Sequence, residues 1–157
     1  MPAQAQAIGT PIRSFVATSR PQLRALGAYR AMHDVRSQLK TYLVPKLRAI
    51  GFKGSFPHFR RRRDDRNELI TFQFEKYGSG KFVVELAVAP AGTFKTYWGK
   101  EVSESKLTAH DLSERLRLGA VPGENYWFSL NDDPAPSIDT ILEFIKSQGD
   151  TYFEANT

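Results

Sequence analysis

Apolar side chains recur at Val35, Leu39, Leu43, Leu47 and Ile50, spacings of four and three that place them on one face of a helix. Pro45 falls inside that stripe. A proline there deletes a backbone donor and costs about 3 kcal/mol in a helix interior. The pattern therefore predicts a helix kinked at Pro45, or broken with Pro45 opening a second short segment. Gly51 suits a left-handed cap, after which Phe52 can fold back onto a core. Order is expected to begin near Ser19 and to become helical by Met32.

The period then changes from 3.6 to 2. Ile70, Phe72 and Phe74 alternate with Thr71, Gln73 and Glu75, and Phe82, Val84, Leu86 and Val88 alternate with Val83, Glu85 and Ala87. Both runs read as strands with one apolar face. The glycines of Lys76–Lys81 suit a hairpin between them. Asp64–Asn67 makes another polar turn, so residues 56–63 are expected to form the preceding antiparallel strand. Leu116 and Leu118 point one way and Arg115 and Arg117 the other. Residues 90–111 are harder to place: a strand near Thr93–Trp98 and a short helical turn near Thr108–Leu112 fit best. Residues 119–130 read as a loop entering the core through Trp127 and Phe128.

Ile138, Ile141, Leu142 and Ile145 share one face of a last helix, which Ser137 can cap. The order of helix, antiparallel strands and helix gives an α+β class. We expect a sheet of four to five strands with both helices packed on one face. Residues 1–18 are expected to be a flexible arm and 19–157 a single domain.

Composition narrows the functional classes. The 157 residues are 41% hydrophobic and 25% charged, as in a globular chain. There is no cysteine, which excludes disulfides, thiolate metal sites and cysteine nucleophiles. That fits a reducing compartment, and a cytoplasmic location is expected. No apolar run approaches the roughly 20 residues that span a bilayer, so no membrane association is expected. Residues 1–33 carry arginines and no acid, as transit peptides do, but Pro2, Pro11 and Pro21 would interrupt the helix such a peptide needs. The net charge of +5 is uneven: residues 1–66 hold 14 Lys/Arg against 3 acids, and residues 67–157 hold 8 against 14. Such a split can make a dipolar surface that biases encounter with charged partners.

In this order and spacing, the helix end "LRAIGF" (Leu47–Phe52), the strands "ITFQF" (Ile70–Phe74) and "FVVELAV" (Phe82–Val88), and "RLRLG" (Arg115–Gly119) followed by an aromatic pair resemble a bacterial family known as domain of unknown function 4304. The resemblance runs over roughly residues 32–147. The family looks tryptophan-rich where this chain has Tyr126–Trp127. It implies a small α+β domain and supplies no catalytic residues.

Candidate chemistry centres on charge. On a strand, Arg61 and Arg63 share a face with Phe59, while Arg60 and Arg62 share the other with His58. Arginines on an edge strand also block aberrant sheet pairing, so a solvated edge neutralised by Asp64, Asp65 and Glu75 competes with an anion- or partner-binding surface. Thr71, Gln73, Glu75, Glu85, Arg115 and Arg117 should stand opposite the core on a wetted sheet face. There Arg115 and Arg117 could hold an anion that Gln73 orients, with Tyr77 and Tyr97 at the rim.

Catalytic patterns fail. His33, His58 and His110 are far apart and lack metal-ligand spacing. "GSGK" lacks the other residues of a phosphate loop, and no serine sits in a nucleophile elbow. Asp132–Asp133 more naturally favours the start of the last helix. No catalytic residue, metal or cofactor is expected. The expected function is a non-enzymatic binding module whose basic surface, Arg60, Arg61, Arg62, Arg63 and Arg66 with Gln73, Arg115 and Arg117, docks an acidic protein partner or an anionic ligand. By analogy it would neutralise a toxin or act as an accessory protein. Non-specific nucleic-acid binding is the first alternative, although no nucleic-acid module is recognisable. An enzyme built from Gln73, Glu85, Arg115 and Arg117 is the second.

Overall fold

A computed structural model describes residues 26–27, 34–121 and 124–156. The expected arm over 1–18 and the helix onset between Ser19 and Met32 lie outside the described residues, apart from Leu26 and Gly27. From residue 34 a helix, α1, runs to residue 49. It passes through a π-helical turn at Leu39–Leu43 and resumes as α-helix over Val44–Ala49. The wide turn ends where Pro45 enters, and Val44 N–H reaches back to Leu39 O. Pro45 therefore occupies the first turn of the resumed α-helix, where its missing donor costs least. The helix ends as its glycine predicts. Gly51 has φ 98°, its N–H donates to Arg48 O, and Phe52 N–H donates to Leu47 O.

Six strands follow: β1 (His58–Arg62), β2 (Arg66–Phe74), β3 (Phe82–Pro90), β4 (Phe94–Lys95), β5 (Glu101–Val102) and β6 (Leu116–Arg117). β1, β2, β3 and β6 form one antiparallel sheet in that order, with β1 on an edge. β4 and β5 make a separate two-stranded hairpin. The second helix, α2, starts at Ala135, passes a π-helical turn at Ile145–Gly149 and ends at Ala155. Its start is not capped by Ser137, which sits one turn inside. Asp133 instead accepts the Ala135 N–H, as an acid ahead of the helix should.

Period-two alternation holds. Ile70, Phe72, Phe82, Val84, Leu86 and Leu118 all join the cluster that also takes Leu39, Leu43 and Leu47 from α1 and Ile138, Ile141 and Ile145 from α2. Both helices thus cover one sheet face, and each fully buried Leu, Ile or Phe contributes about 1.5–3 kcal/mol of transfer free energy. Phe128 enters this core, whereas Trp127 stays half exposed.

The opposite face departs from expectation. Residues 90–112 fold over it as the β4–β5 hairpin and two 3₁₀ turns, Glu104–Lys106 and Ala109–Asp111. Val102, Leu107, Ala109 and Leu112 pack there on Leu69, Ala87 and Ala89 as a second, smaller core. Part of the face expected to be wet is dry: Thr71 and Glu85 are buried, because alternate positions on that face include alanine and leucine that a cover can bury.

Candidate functional site

The covered face carries a polar row that crosses the whole sheet. His58 pairs in register with Thr71, Thr71 with Glu85, and Glu85 with Arg117. The cover adds His110, whose Nε2 lies 3.4 Å from Glu85 Oε2. Glu85, only 2% exposed, also faces Arg117 Nε at 3.1 Å and Arg115 Nε at 3.6 Å. Arg115 and Arg117 therefore pair with a buried carboxylate of their own chain, and Arg117 further donates to Asn125. Gln73 lies on the same face but is exposed. Tyr77 and Tyr97 are exposed and do not frame this row.

Two histidines that the sequence keeps far apart meet here, with the His58 and His110 rings perpendicular and 5.9 Å apart. Thr71 Oγ1 accepts the Ala109 N–H at 3.2 Å and lies 3.0 Å from His58 Nδ1. Thr71 Oγ1 thus bridges the cover and the His58 ring. Partial burial, reinforced by the nearby His110, lowers the His58 pKa, and Asp111 opposes this.

The arginine run is consumed differently from expectation. Arg61 turns to the helix face, where it meets Glu68, Asp150 Oδ1 at 3.0 Å and Ile50 O. Its guanidinium lies over the Phe52 ring at 4.5 Å. Arg63 and Arg66 also approach Glu68, at 3.6 and 3.0 Å. Arg62 pairs with the Glu104 carboxylate, which also accepts from Asn67 and the Gly92 N–H. The neutralising acids are thus Glu68, Glu104 and Asp150, not Asp64, Asp65 and Glu75. Glu75 instead accepts from Ser79 inside the β2–β3 turn. Among the described residues, Arg60 alone of the four arginines has a carbonyl, Glu104 O, and no carboxylate as its partner, so its charge is not cancelled there.

Arg60 lines a cavity of about 350 Å³ at the β1 edge, together with Lys53, Ser55, His58, Lys106 and Thr108. No acid lines it, and among the described residues neither Lys53 nor Lys106 has an ion-pair partner. Its wall is set by the chain leading into β1. Lys53 and Arg60 exchange backbone hydrogen bonds of 2.8 Å, and Gly54 turns between them at φ 120°. Lys53 and Lys106 carried no motif in the sequence; only the fold of residues 103–108 over β1 unites them with Arg60 and His58.

Among the described residues, no group of three or more His, Asp or Glu side chains is placed to hold a metal ion, and no helix is long and apolar enough to cross a membrane. A sequence model of the family described as domain of unknown function (DUF4304) matches residues 43–155. The matched stretch contains the polar row and the basic cavity. No curated protein and no solved structure matches the chain.

Proposed function

Since the chain belongs to the DUF4304 family, which brings no assigned activity, we propose that it is a binding module whose β1-edge cavity receives an anionic group. The observation that carries this reading is the lining: Lys53, Arg60 and Lys106 with His58, and no acid. Like charges gathered with no acid in the lining repel one another, and an entering phosphate or carboxylate relieves that repulsion. The hydroxyl of Ser55 offers a further donor to its oxygens. Arg61, Arg62, Arg63, Arg66, Arg115 and Arg117 serve the fold rather than the ligand, because each faces a carboxylate of the same chain.

The anionic group belongs to an anionic ligand or to an acidic partner protein, and a neutralising or accessory role in a bacterial cytoplasm is the setting we favour. Pairing of Glu85 with Arg115, Arg117 and His110 speaks for a structural carboxylate. None of the four residues weighed for catalysis, Gln73 among them, lines the cavity.

Inorganic phosphate is the simplest probe. It should shift the His58 ring resonances and raise the melting temperature, since a ligand at a hundred times its Kd stabilises by about 2.7 kcal/mol. The double variant Lys53→Gln, Lys106→Gln should lose both effects. Unchanged His58 resonances in the native protein at saturating phosphate would defeat the reading.

A further inference from the structure

The β4–β5 hairpin is anchored at its base and displays aromatic rings at its tip. Phe94 and Val102 pack into the second core. Thr96 is buried; its N–H donates to Lys100 O at 2.8 Å and its Oγ1 accepts the Lys100 N–H at 2.9 Å. Gly99, at φ 88°, closes the turn. On this mount Tyr97 is 83% and Trp98 50% exposed, with the rings perpendicular at 4.8 Å. Large aromatic surface is normally buried. Here a turn held by several hydrogen bonds keeps it in water.

The charge around the rings selects the partner. Lys95 and Lys100 flank them and are exposed. Lys100 lines a second cavity of about 610 Å³, and Lys106 lines both this cavity and the basic one at the β1 edge. The two cavities share Lys106 and Thr108, and Lys100 lies two residues beyond Trp98, which sets out a path from the hairpin tip through Lys100 and Lys106 to Lys53 and Arg60. Two acids border it. Asp111 spends its carboxylate on the N–H and hydroxyl of Thr108, and Glu101 stands across from Lys95. We infer that this path binds single-stranded nucleic acid, with unstacked bases on Trp98 and Tyr97 and phosphates along Lys100, Lys106 and the basic cavity. A duplex keeps its bases stacked inside, and an acidic protein would use the lysines without needing the rings. Alternating rings and cations suit a strand that alternates bases and phosphates. The inference rests on the cavity reading for the position of one phosphate.

Trp98 fluorescence tests it in a Trp127→Phe background, which leaves one indole. A short oligothymidylate should quench Trp98 and bind at least tenfold more tightly than polyphosphate of equal charge. Tyr97→Ala and Trp98→Ala, followed by anisotropy of a labelled oligonucleotide, should erase that margin. Equal binding of polyphosphate, equal binding of duplex, or no quenching would each overturn the stacking platform. Should phosphate still shift His58 in those cases, the cavity reading survives alone. Quenching without any phosphate effect on His58 would instead keep the platform and remove the cavity.

Discussion

Arg61 and Glu68 stand directly opposite each other across the β1–β2 pairing, and both are buried against the helix face. The pair lies where α1 ends and α2 passes, since Arg61 also reaches Ile50 O and Asp150. With Arg62–Glu104 and Lys46–Asp139 it ties the arginine-rich first part of the chain to the acidic second part.

Breaking that pair on one side leaves a charge in a dry site. Glu68→Ala leaves buried Arg61 with only the half-exposed Asp150 as counter-charge and takes that of Arg63 and Arg66 away as well. Urea unfolding should show a loss of about 3–5 kcal/mol. The double variant Arg61→Met, Glu68→Met should recover much of it, because an apolar pair of similar volume often matches a buried ion pair. A single-variant loss under about 1 kcal/mol would mean that water screens the pair in solution.

His58 makes stability depend on pH in a defined direction. Burial and His110 lower its pKa below the ordinary value of 6.5, so the unfolded chain binds the proton more tightly. Its contribution is fully present above pH 6.5 and is lost as the pH falls toward the depressed folded value. His58→Gln should flatten the stability profile in that window. A profile unchanged by the substitution would place the sensitivity elsewhere. Phosphate in the cavity should reverse the trend, because an anion favours protonated His58 and so binds more tightly as pH falls.

Glu104 reports on the cover. Hydrogen bonds from Asn67 and then Arg62 hold its carboxyl below the usual range. Its contribution is present above the ordinary carboxylate pKa and disappears on further acidification, a window distinct from that of His58. Glu104→Gln should speed amide exchange at Gly92 and Lys106, while Leu86 in the main core stays protected. Equal acceleration at Leu86 would show that cover and core open together.

Gly54 shapes the cavity wall. A Cβ there would meet His58 O at 2.7 Å, at a φ of 120° that side chains avoid. Gly54→Ala should cost about 1–3 kcal/mol in urea unfolding and weaken the phosphate effect on His58. A stable variant with unaltered phosphate response would uncouple this turn from the site.

Alternation made most of the fold legible. The core partners Phe72, Leu86 and Leu118 follow from period two, and Gly51 marks the end of α1. In the cover, β4 and the turn Ala109–Asp111 fall where a strand and a helical turn are expected, but their packing over the sheet was not legible, because β4 and β5 hold only two residues each. The site was obscured for the same reason. Lys106, Thr108 and His110 reach Lys53, His58 and Glu85 only through that irregular stretch, so no local spacing announces them. The arginine run reads from sequence as a solvated edge or a binding surface; the partners it finds are long-range, since strand geometry turns Arg61 inward and distant acids pair with Arg61, Arg62 and Arg63.

The two hydrophobic clusters share no residue, and every apolar contributor from 90–112 belongs to the smaller one. This stretch is in effect a replaceable lid on a fixed chassis. Insertions, deletions or new tip sequences between Pro90 and Leu112 could remodel what the molecule touches without repacking a single helix residue, so diversity among relatives should concentrate there.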